Sequence, residues 1–123
     1  MIKSVKEKLS FFDEITIAFT ANNGIECLEK LVNNRIIDLI LMDIEMPKLN
    51  GIETTSLIKQ KYPQIKIIVL TVFDDDENIF NAIQAGADGY LLKDTDPKAL
   101  YDAIIQTREG GAVKIVNTSV TME

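Results

Sequence analysis

Four apolar residues in unbroken succession, Leu39-Ile40-Leu41-Met42, stand between Asp38 and Asp43 and are followed shortly by Pro47 and Asn50-Gly51. A strand with one wet face alternates with period two. This one does not, so it predicts a strand covered on both faces, as in a parallel sheet flanked by helices. Pro47 has no N–H for a ladder and Asn50-Gly51 is turn chemistry, so the chain must leave the sheet just after Asp43. One carboxylate is thereby delivered to the carboxyl lip of the sheet, where ligands bind in open α/β folds. Asp38 is not its partner, because a strand rising about 3.3 Å per residue puts it roughly 16 Å away at the other end.

The flanking segments repeat this plan. Residues Ile2 to Phe11 read as a helix with Ile2, Val5, Leu9 and Phe12 on one face and Lys3, Lys6, Glu7 and Lys8 on a solvated one. Ile15 to Thr20 alternates and is β-branched, which predicts a strand open on one side near a sheet edge. Asn22-Asn23-Gly24 then caps a helix with Ile25, Leu28 and Val32 on one face and Cys27 packed within it. After Asp43 come a helix over Gly51 to Lys61 (Ile52, Thr55 and Ile58 inward), a strand over Lys66 to Thr71, and a helix ended by Gly86. Asp74-Asp75-Asp76-Glu77 reads as the acidic start of that helix rather than as a metal cage. A short strand over Tyr90 to Lys93 follows, then a helix from Asp96-Pro97 to Gly110-Gly111 with Leu100, Tyr101, Ile104 and Ile105 inward. Alternation of this kind predicts a doubly wound parallel sheet with right-handed crossovers.

The sequence also excludes. It holds 123 residues, 46% hydrophobic, enough for one core and no second domain. A net charge of −6 with scattered lysines does not make a nucleic-acid surface. With no histidine, imidazole catalysis and imidazole metal ligation are ruled out, and Cys27, the single cysteine, forbids an internal disulfide. No apolar run approaches a membrane span or signal segment, which leads to the expectation of a cytoplasmic protein without membrane contact.

Three predicted buried strands in succession end in Asp43, Thr71 and Lys93, so the lip gathers a carboxylate, a hydroxyl and an ammonium. An anion built on Asp43 would meet a hydrogen-bond donor and a counter-charge. These residues, with Asp43-x-x-Met46-Pro47-x-x-x-Gly51 and Ala85-Gly86-Ala87-Asp88-Gly89-Tyr90-Leu91-Leu92-Lys93, resemble the receiver domain of two-component response regulators, over Met1 to about Thr107. Lys93-Asp94 is similar to the NarL/FixJ-type subfamily, which precedes a LuxR-type helix-turn-helix domain. The resemblance implies a flavodoxin-like (CheY-like) five-stranded sheet of order 2-1-3-4-5. It implies that Asp43 accepts a phosphoryl group from a sensor histidine kinase, with Lys93 pairing to it and Thr71 bonding it. Tyr90 would be the rotamer switch, and Glu45, Pro47 and Phe73 would line the pocket. Mg²⁺ would be held by Asp43 and the backbone carbonyl of Glu45. It also implies a phosphoacceptor domain that assists its own transfer rather than a conventional enzyme. A homodimer is admitted, and DNA is reached only through an effector domain absent from this chain.

The family begins with an apolar strand ending in a pair of acids that help hold Mg²⁺, and Met1-Ile2-Lys3 matches the residues after that pair. The chain thus begins about one strand and loop late on the family's pattern. Within a single domain spanning 1–123, residues 1–109 form the helix and strand repeat and 110–123 a tail. The tail has two readings. Ala112 to Val116 is a replacement strand entering the first-strand slot by a glycine turn, as in a circular permutation, or the tail is linker toward the absent effector domain. On the first reading neutral Asn117 and Thr118 fall where the acids belong, and Mg²⁺ binding is weak or absent. The competing function is an unphosphorylated or engineered, truncated or permuted, receiver-like interaction domain without a competent Mg²⁺ site. A flavin- or small-anion-binding protein of the same fold is disfavoured, because no phosphate-cradling loop follows the first helix-facing strand.

Overall fold

The computed structural model describes residues 5–33, 36–44, 50–72, 76–108 and 113–118. Its elements run α1 (Val5–Leu9), β1 (Ile15–Ala21), α2 (Gly24–Val32), β2 (Leu39–Asp43), α3 (Gly51–Lys61), β3 (Lys66–Thr71), α4 (Asp76–Ala85), β4 (Gly89–Leu92), α5 (Pro97–Arg108) and β5 (Val113–Thr118). All strand pairs are parallel, and the sheet order is β1-β5-β2-β3-β4.

The unbroken apolar runs are explained by where they lie. β2 is buried at every position, and β3 at every position after Lys66. Because side chains alternate across a strand, each feeds two cores. Ile40, Met42, Ile67 and Val69 pack with Cys27 and Leu31 of α2, Ile58 of α3 and Ala82 of α4. Leu39, Leu41, Ile68 and Leu70 pack on the other face with Leu9 of α1 and Leu100 and Ile104 of α5. β1, at an edge, alternates between buried and exposed positions.

Local chemistry starts and stops the helices. The Asn23 and Asn50 side chains accept the N–H groups of Glu26 and Glu53 at the starts of α2 and α3, and Asp96 accepts that of Ala99 in α5. Gly86, at φ +107°, ends α4 in a conformation open to glycine.

Four expectations are corrected. α1 ends at Leu9 rather than at Phe11, where the Ser10 hydroxyl donates back to the Glu7 carbonyl. The face of α2 turned to the core carries Cys27 and Leu31, while Ile25 and Val32 are 45% and 47% exposed. Apolar residues at 25, 27, 28, 31 and 32 make one stripe about 160° wide, so periodicity identifies the helix without choosing which part of the stripe meets the core. β4 spans Gly89–Leu92 and is half-buried throughout, because it is the sheet's other edge. Lys8, expected on the solvated face of α1, is 6% exposed.

Candidate functional site

β2, β3 and β4 lie side by side, and their carboxyl ends bring Asp43, Thr71 and Lys93 to one lip. Asp43 closes a strand with no exposed residue, so its side chain is only 2% exposed. Lys93 is the first residue beyond β4; its N–H donates to the Thr71 carbonyl at 2.8 Å, which extends the β3–β4 ladder by one step. From there its Nζ reaches Asp43 Oδ2 at 2.7 Å. Thr71, at 1% exposure, is buried beside them.

The backbone around Asp43 is held as closely as its side chain. Gly51 opens α3 directly over it, and its N–H donates to the Ile44 carbonyl at 3.0 Å. A Cβ on Gly51 would stand 2.1 Å from the Asp43 carbonyl oxygen, so only glycine permits this approach. The motif's glycine therefore fixes where α3 begins relative to the carboxylate.

Such an arrangement suits nucleophilic chemistry at an oxygen. A carboxylate kept from water and paired to an ammonium can accept an electrophilic group, and the same ammonium then faces the negative charge that arrives with it. Tyr90 pairs in register with Val69 and is half-buried against the core on the α2, α3 and α4 side. Glu45, Pro47 and Phe73 lie outside the described residues.

Mg²⁺ favours near-octahedral oxygen coordination that includes carboxylates. Among the described residues no group of three or more His, Cys, Asp or Glu side chains is placed to hold a metal ion. Asn117 and Thr118, which end β5 beside β1 and β2, are uncharged, and one Asp43 oxygen is already held by Lys93. These residues do not by themselves fit a Mg²⁺ site.

Sequence reasoning missed Lys8. Its Nζ donates to the carbonyls of Lys93 at 2.9 Å and Thr95 at 2.8 Å, bonding the turn that follows β4. A lysine in an amphipathic helix reads as solvated, and partners more than eighty positions away leave no local signal.

A family model described as "Response regulator receiver domain" matches residues 1–105. The chain is 39% identical over 110 residues to the transcriptional regulatory protein DegU of Brevibacillus brevis, covering 89% of this chain and 46% of that protein. It is 38% identical over 109 residues to the nitrate/nitrite response regulator protein NarL of Escherichia coli (strain K12), covering 89% and 50%. The chain thus spans about half the length of the curated relatives it matches. In fold it is similar to the signal receiver domain of NarL from Mycobacterium tuberculosis, with a TM-score of 0.79, 24% identity and coverage of 86% of this chain and 85% of that one.

Proposed function

The chain belongs to the response regulator receiver domain family, and from that premise we propose that it accepts a phosphoryl group on Asp43 from the phosphohistidine of a sensor kinase. The observation that carries this reading is the 2.7 Å ion pair between Lys93 Nζ and Asp43, with the carboxylate 2% exposed at the sheet's lip. In the transfer, an Asp43 carboxylate oxygen bonds to phosphorus as the N–P bond breaks. The electron pair leaves with the imidazole nitrogen, which takes a proton from solvent. Lys93 stabilises the charge on the phosphoryl oxygens, and the Thr71 hydroxyl donates to one of them. Tyr90 reports the state through its rotamer.

Lys93-Asp94 supports the NarL/FixJ-type subfamily, as do relatives named as transcriptional regulatory proteins of about twice this length. On that reading the phosphorylated domain controls transcription through an effector domain that itself holds the DNA. β5 is read as standing in the family's first-strand slot, an interpretation supported by the pairing of Ile115 with both Ile17 and Leu39.

Incubation with acetyl phosphate, with and without Mg²⁺, followed by intact-mass measurement tests the assignment. A single phosphoryl addition that disappears in Asp43→Asn is expected, at low yield because the described residues do not fit the cation. Labelling that persists in Asp43→Asn overturns the assignment. The same misfit favours a second reading, an interaction domain that keeps the fold and is not phosphorylated, for which no labelling of the parent is expected.

A further inference from the structure

The turn after β4 carries Lys93 to Asp43, yet its sequence, Lys93-Asp94-Thr95-Asp96, contains neither glycine nor proline to fix the backbone. Hydrogen bonds must fix it instead. From the sheet side, the Lys93 N–H donates to the Thr71 carbonyl at 2.8 Å and the Thr95 N–H to the Leu92 carbonyl at 3.0 Å. From the α1 side, the Lys8 ammonium gathers the carbonyls of Lys93 and Thr95 onto one nitrogen, at 2.9 and 2.8 Å. An ammonium leaves water only where donors are met, and at 6% exposure Lys8 has two of its three met by this turn. Both of those partners are backbone atoms. What Lys8 holds through them is therefore a conformation, and that conformation sets the point from which the Lys93 side chain starts. Lys93 itself is 34% exposed, so packing restrains it weakly and its backbone matters correspondingly more.

We propose that Lys8 is a positioning residue, clamping the turn after β4 so that the Lys93 ammonium is held on Asp43, and that it acts only through Lys93. The geometric part stands independently; its effect on labelling rests on the phosphoacceptor reading.

Lys59 supplies the control. Its Nζ donates to the carbonyls of Pro63 at 3.3 Å and Ile65 at 3.0 Å and to Asp88 Oδ2 at 3.1 Å, a comparable set of bonds at the opposite end of the sheet. Removing either lysine should lower stability. Only removal of Lys8 should loosen Lys93.

The experiment compares the full chain with Lys8→Met, Lys8→Arg and Lys59→Met. The first readout is the ¹H–¹⁵N NMR signal of the Lys93 ammonium at low temperature, assigned by its loss in Lys93→Met. The second is the initial rate of labelling by acetyl phosphate. In Lys8→Met the ammonium signal should broaden away and labelling should slow about tenfold, the scale of one charge-assisted hydrogen bond lost from a transition state. Lys8→Arg, which keeps the charge and two donors, should recover most of both, and Lys59→Met should keep both. An unchanged Lys93 signal in folded Lys8→Met overturns the proposal, as does an equal loss in Lys59→Met. If Lys8→Met does not fold, Lys8→Gln, which retains a donor, decides by the same criteria. A parent that is not labelled at all counts against the phosphoacceptor reading, and the ammonium signal still decides the role of Lys8.

Discussion

Lys93 Nζ stands 2.7 Å from Asp43 Oδ2, and the two sides of the pair are unequally wet: the lysine side chain is 34% exposed and the aspartate 2%. Losing the lysine removes the counter-charge from a buried carboxylate, whereas neutralising the aspartate leaves an ammonium that can turn to water. Lys93→Met is expected to cost about 1 to 3 kcal/mol, below the range for a fully buried pair because Lys93 is about a third exposed. Asp43→Asn should cost less than about 1 kcal/mol. Urea unfolding of both at neutral pH checks the order, and a larger cost for Asp43→Asn would contradict the exposure argument.

Gly51→Ala should destabilise the protein by about 3 kcal/mol or more, because overpacking against backbone has no rotamer by which to relax. The added Cβ would lie 2.1 Å from the Asp43 carbonyl oxygen, so the start of α3 or the end of β2 must move. Thermal unfolding measures the loss, and a melting temperature within a degree or two of the parent would show that α3 does not begin where described.

Burial, followed by the neighbouring Glu26, pushes the Cys27 thiol from 9.0 up to about 12, with Lys30 acting in the other direction. A raised acid is favoured in its protonated form by the fold. Its contribution to stability is therefore fully present below pH 9 and is lost as pH rises through 9 toward 12. Relative to Cys27→Ala, the parent should lose about 1 kcal/mol more stability between pH 9 and pH 10. Denaturant unfolding of both proteins at pH 8, 9 and 10 gives the difference in slope. Parallel pH profiles would mean the thiol is not buried in solution. Alkylation by iodoacetamide at pH 8 should likewise proceed only through unfolding.

Ile115 lies between two strands, in register with Ile17 of β1 and Leu39 of β2. Proline there removes an N–H from the interior of the sheet, so Ile115→Pro should cost about 3 kcal/mol or more. A melting temperature unchanged within a degree or two would mean that 113–118 lies outside the sheet, as a linker would.

What could be read in advance depended on how far the cause lay along the chain. The unbroken run Leu39 to Met42 and the turn chemistry after it specify a buried parallel strand delivering Asp43, and the structure has that strand buried at every position. The convergence of Thr71 and Lys93 on the same lip follows because equivalent strand ends share a side of a parallel sheet. The stripe of α2 was not legible, since Ile25 and Val32 are as apolar as Leu31 and only the sheet beneath decides among them. Lys8 was not legible either. Its burial is set by carbonyls in a turn on the far side of the chain, and a charge on a short amphipathic helix ordinarily reads as solvated.

The sheet order has a consequence for the time course of folding. Among the described residues β1 pairs only with β5, and its first pair joins Ile15 to Val113. β2, β3 and β4 can associate as soon as the helices between them have been made. β1 instead waits, synthesised early, for a partner that follows α5 in the chain. Loop closure over so long a separation is slow. During translation, the alternating segment from Ile15 to Ala21 therefore carries an unpaired backbone until Val113–Thr118 has left the ribosome. Chaperone binding and misassociation should concentrate there.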